Sequence, residues 1–95
     1  MAFKTVNVTL SGNTQIVTAH TPVKWVRIEN TTGNADVLVG DKNLSATNYG
    51  FTVTAGPAAS KDIPAFSGGE SPFNLDDLRL RGTDAQVVHV SYVTL

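Results

Sequence analysis

The chain has 95 residues and a mass of 10.1 kDa, room for one domain. Seven basic and eight acidic residues leave a net charge of −1, with no basic stripe to neutralise a phosphate backbone, so no nucleic-acid partner is expected. Cysteine is absent, which excludes disulfides, thiolate nucleophiles and Cys-ligated metal centres.

Val and Thr dominate the apolar runs, and Gly, Pro, Asn and Asp cluster between them. No window holds a 3.6-residue apolar period, so strands are predicted and no long helix. The first strand is residues 5–10, with Val6, Val8 and Leu10 on one face, and Ser11-Gly12-Asn13 supplies turn chemistry. Residues 14–19 return as the second strand until Thr21-Pro22 interrupts. Residues 23–30 form the most central strand, with Val26 and Ile28 on one face and Val23, Trp25 and Arg27 on the other. After Thr31-Thr32-Gly33-Asn34 come a fourth strand over 36–39, a closing Gly40-Asp41-Lys42-Asn43 and a polar connection over 44–50. Residues 51–54 and 60–64 are the fifth and sixth strands, joined through Ala55-Gly56-Pro57.

The Gly/Ser/Pro-rich stretch over 65–73 reads as a flexible loop. Asn74-Leu75-Asp76-Asp77 reads as one helical turn, with Asn74 placed to cap the amides of Asp76 and Asp77. Residues 78–81 are the seventh strand, with Arg79 and Arg81 facing outward. Residues 86–94 are the eighth, with Val88, Val90 and Tyr92 opposite Val87, His89 and Ser91. Seven or eight short antiparallel strands at this spacing predict an all-β chain, a single β-sandwich or jelly-roll-like domain over 1–95. Residues 1–4 would form an N-terminal arm. Val26, Ile28, Val39, Phe51, Leu80, Val88 and Val90 are the expected core.

Candidate chemistry is sparse. His89 shares a strand face with Ser91 and could be drawn as half of a hydrolase pair, but a half-exposed sheet-surface or interface histidine is the far better account of it. Asp41, Asp76 and Asp77 invite a calcium reading, yet no D-x-D-x-D-G loop is present, and acidic residues suit the start of a helical turn. Gly68-Gly69 lacks the G-K-[ST] ending of a phosphate loop. Glu29, Glu70 and the aspartates would have to supply any glycosidase pair, with Trp25 the single tryptophan, readable either as a sugar platform or as core. No enzyme, no catalytic residue, no cofactor and no metal are therefore expected.

No apolar run approaches the ~20 residues that span a bilayer, and Met1-Ala2-Phe3-Lys4 lacks the plan of a signal peptide. The expectation is a protein made in the cytoplasm with no membrane partner. Folding would bury roughly 9,000 Å², contributing on the order of 140 kcal/mol at ~25 cal/mol per Å² of apolar surface. Ordering the residues costs about the same, so partner subunits are the expected support. The candidate partner-binding residues are Phe3, Phe66 and Phe73, carried by segments with little core-forming sequence, and the outward pair Arg79 and Arg81. Alternatively, Phe66 and Phe73 fold back to cap the open end of the sandwich.

The order Val26-Arg27-Ile28-Glu29-Asn30, Val37-Leu38-Val39-Gly40-Asp41 and Asn43-Leu44-Ser45-Ala46-Thr47 is followed by Gly50, Ala55-Gly56-Pro57, Asn74-Leu75-Asp76-Asp77-Leu78 and Val87-Val88-His89-Val90-Ser91-Tyr92. Over residues 23–93 it resembles small virion structural proteins of tailed bacteriophages, most closely capsid decoration (cement) proteins. The resemblance implies no catalysis, location in the virion, homo-oligomers that are often trimers, and the major capsid protein or another virion protein as partner. Two alternatives stand beside it: a tail or head-fibre attachment module, and a carbohydrate-binding β-sandwich using Trp25, Tyr49 and nearby Asn residues.

Overall fold

The computed structural model describes residues 2–31, 34–56, 59–64 and 73–95. Among them run nine strands: β1 (Phe3–Thr9), β2 (Thr14–Gln15), β3 (Pro22–Glu29), β4 (Val37–Gly40), β5 (Phe51–Val53), β6 (Ser60–Pro64), β7 (Phe73–Asn74), β8 (Arg79–Arg81) and β9 (Val87–Thr94). A single 3₁₀ turn, Leu75–Asp77, precedes β8. The strands form two antiparallel sheets, one ordered β1-β9-β3-β6 with β7 also paired to β3, the other ordered β2-β8-β4-β5. The chain is all-β, a small β-sandwich.

The pairs β1/β9, β2/β8, β3/β6 and β4/β5 describe one long antiparallel ribbon. Folding that ribbon over on itself adds the pairs β3/β9 and β4/β8. The core lies between the sheets. From the first come Val8, Val23, Val26, Ile28, Ile63, Val88, Val90 and Tyr92; Val37, Val39, Val53 and Leu80 come from the second. Alternation delivers them, because every second side chain of a strand points to the same face. β9 shows it most plainly, with Val88, Val90 and Tyr92 buried while Val87 and His89 are exposed and Ser91 half-buried.

The core carries one polar inclusion. Asn30 is fully buried, and its side-chain amide donates to the carbonyls of Ala35 (2.9 Å) and Val53 (3.0 Å). Its Oδ1 accepts from Gln86 Nε2 (3.1 Å) and Asn34 Nδ2 (3.1 Å), and Gln86 donates again to Ala35 O (2.8 Å). One side chain thus ties the end of β3, the start of β4, the end of β5 and the entry to β9. A buried amide is tolerated only when its donors and acceptors are matched, as here.

Several expectations need correction. Val23 is on the core face, because the β3–β9 register shifts between Val23 and Trp25 and the irregularity returns Val23 to the inside. The expected second strand stops at Gln15, after which Ile16 turns into the core. Residues 3 and 4 are not an arm: Phe3 and Lys4 pair with Val93 and Tyr92 in β1. Asn74 makes no side-chain capping bond. It lies in β7 opposite Pro22, and Asp76 instead fixes the turn by accepting from the Thr21 amide (3.0 Å). Phe51 is only partly buried, packed against the core. Of the loop 65–73, only residue 73 lies within the described residues.

Candidate docking face

The outer face of the first sheet is built from the odd-numbered residues of β1, β9 and the later part of β3; their even-numbered neighbours lie on the core side, with Lys4 at its exposed margin. Register sets these side chains in rows across the sheet. One row runs Phe3, Val93, Trp25. The next runs Thr5, Ser91, Arg27, Asp62, and the third Asn7, His89, Glu29, Ser60. The first row is apolar and the other two are polar. Phe3 is 67% exposed, Val93 and Trp25 are half-buried, and Leu95, just beyond β9, is 51% exposed.

Trp25 is therefore neither core nor isolated. The Arg27 guanidinium sits 5.4 Å from the centre of its ring, a cation–π distance. The same guanidinium grips Asp62 through two bonds, Nε to Oδ1 at 2.7 Å and Nη2 to Oδ2 at 3.0 Å. The hydrogen bond from Arg27 holds the Asp62 carboxyl below its usual range, with its charge and the Trp25 indole adding to the effect, and raises Arg27 in turn. Such an exposed pair adds little to stability. Its effect is positional: three side chains from two strands are held in one arrangement. In the third row, His89 Nδ1 lies 2.7 Å from Asn7 Oδ1, so its hydrogen-bonding partner is Asn7 rather than Ser91.

The sequence-predicted partner residues fall in different places. Phe3 stands on this face. Phe73 packs against the core and lines an apolar cleft of about 340 Å³ with Val39, Phe51, Ile63 and Leu78. Phe66 lies outside the described residues. Arg79 and Arg81 stand on the outer face of the other sheet, each engaged with its own chain. Arg79 Nη1 donates to the carbonyls of Asp76 (2.7 Å) and Leu78 (3.4 Å), and Arg81 Nη1 donates to Asn13 Oδ1 (3.2 Å).

Tyr49, the other proposed sugar platform, belongs to the connection between β4 and β5 in the second sheet, so it does not converge with Trp25. Asp41 accepts from the Asn43 amide (2.9 Å) and lines one depression with Lys42, Asp77 and Arg79. Among the described residues, no three His, Asp or Glu side chains gather as metal ligands, and no helix is long and apolar enough to cross a membrane.

Sequence reading missed Val93 and Trp25 as members of this face. The available signal was the odd-residue face of β1 and β9 together with Arg27 beside Trp25. Comparison with family models, curated proteins and solved structures found no match to the chain.

Proposed function

We propose that this chain is a non-enzymatic structural protein of a tailed-phage virion, a capsid decoration protein that binds and stabilises the lattice of the major capsid protein. The observation that carries the docking part of this reading is the row Phe3, Val93, Trp25 beside the Arg27–Asp62 pair. Trp and Arg are the side chains that most often dominate interface energetics, and an aromatic row on an open sheet face suits a broad protein surface better than a small molecule. The virion assignment itself rests on the sequence pattern over residues 23–93. Copies held in a homo-oligomer raise one another's effective concentration, so a modest contact per copy suffices to hold a lattice junction.

The test is addition of the purified chain to capsids assembled without it from the major capsid protein of the same phage. Saturable co-sedimentation and a raised capsid melting temperature are expected. Binding to purified tails but not to capsids would replace the decoration reading with the tail-module reading.

A further inference from the structure

A sandwich exposes strand edges, and natural proteins blunt them because an unpaired row of N–H and C=O groups recruits other strands. Three of the four edges here are blunted. β2 and β5 end their sheet with only two and three residues. β6 carries Lys61, Asp62 and Pro64 within five residues. β1 is different. It has seven residues, an unbroken register from Phe3 to Thr9, no proline or glycine, and one charge, Lys4.

Backbone polarity along β1 is fixed by its ends. Thr94 N donates to Ala2 O (2.9 Å), and Leu10 N donates to Gln86 O (2.8 Å). Even-numbered residues therefore bond to β9, leaving Phe3, Thr5, Asn7 and Thr9 to present N–H and C=O on the free side. Among the described residues no strand pairs there.

We propose that β1 is a self-association edge: β1 of one copy pairs antiparallel with β1 of a second copy about a two-fold axis through Val6. In this register Phe3 faces Thr9, Thr5 faces Asn7, Lys4 faces Val8 and Val6 faces Val6. The hydrogen-bonded positions are then the odd residues whose groups point outward. No like charges oppose, whereas a parallel pairing in register would set Lys4 against Lys4. Val6, half-buried in one copy, gains cover from itself. The 38%-exposed Val87, opposite Thr9, joins the row that holds Phe3 of the second copy. Two four-strand paths become one eight-strand sheet with two apolar rows on a single face. Because the contact is isologous, it closes as a dimer. The inference stands on the edge alone and does not depend on the virion reading.

The chain lacks cysteine, which makes cross-linking a clean test. Facing residues of a non-hydrogen-bonded pair have Cα atoms ~4.5 Å apart, within disulfide reach. Oxidised Val6→Cys should run as a covalent dimer on a non-reducing gel, while the more exposed Thr5→Cys should not. Thr5→Pro removes an outward N–H without touching the bonds to β9, so it should leave the chain folded, with a melting temperature lowered only to that of the dissociated parent, and abolish the dimer seen for the parent chain by light scattering. A parent chain that is monomeric or trimeric at all concentrations would overturn the proposal. So would a Thr5→Pro variant that stays dimeric, or Thr5→Cys cross-linking as well as Val6→Cys.

Discussion

The two outer faces of this sandwich use the same kinds of residue for opposite purposes. On the second sheet, Arg79 and Arg81 turn their donors onto their own chain, and Gln15 Nε2 likewise donates to Asp76 O (3.2 Å). That face clamps the turn 75–77 and the hairpin at Asn13. On the first sheet, Arg27 pairs with Asp62 and covers Trp25, holding an aromatic row that its own chain leaves partly open. Arg79, bonded to backbone carbonyls, and Arg81, bonded to the Asn13 side chain, hold their own loops in place. Arg27 instead orders a half-buried aromatic at the surface of the first sheet. The contrast separates the two faces better than composition does, since both carry arginine on strands.

The comparison can be broken or sharpened at several points. The largest effect is expected beneath both faces. Val88→Asp would bury an unpaired charge at a fully buried site, costing several kcal/mol and preventing soluble expression; a soluble variant with near-parental melting would contradict the core assignment. Next is Asn30→Ala. It strips two carbonyls and two amide donors of their shared partner, for a loss of about 2–3 kcal/mol, which thermal denaturation should register as a melting point ~10 °C or more lower. Arg79→Ala should cost about 1 kcal/mol of stability through the lost carbonyl bonds, with no change in docking.

The smallest effect is acid-linked. The carboxyls of Asp62 and Asp76 are held below the usual carboxylate range, chiefly by the bond from Arg27 and by the Thr21 amide respectively. A depressed carboxylate stabilises the fold above its unfolded pKa, and that contribution is lost as pH falls through the folded value. Melting temperature should therefore be insensitive to these groups near neutrality and fall below about pH 4. Asp76→Asn keeps an acceptor for Thr21 while removing the titration, so it should make that fall shallower. An unchanged acid profile would contradict the role given to Asp76.

Much of this was legible in the sequence, and the exceptions have physical causes. The alternation of Val88, Val90 and Tyr92 against Val87, His89 and Ser91 was readable because side-chain period alone fixes it. Val23 was misassigned because a register shift reverses parity, and nothing local in Val23-Lys24-Trp25 announces it. The pairing of β7 with β3 joins residues some fifty positions apart, beyond any local pattern. Asn30 and Gln86 escaped because an apolar pattern does not count buried amides, whose burial depends on partners supplied by distant turns. Ala85 adopts φ 71°, a conformation usually left to Gly or Asn. Spacing sets Trp25 on the face opposite Val26 and Ile28 but does not say that this face is the outer one. Its alignment with Val93 and Phe3 came only with the register of three strands.

The central claim is that the first sheet, and not the second, docks. The most direct measurement is co-sedimentation of Trp25→Ala and Arg81→Ala with undecorated capsids, each variant first checked by thermal melting. Trp25→Ala should melt close to the parent chain and lose about 1–4 kcal/mol of capsid affinity, the range for an interface hot spot. Arg81→Ala should bind as the parent does. Full binding by Trp25→Ala together with loss of binding by a folded Arg81→Ala would contradict the account and move the docking surface to the opposite sheet.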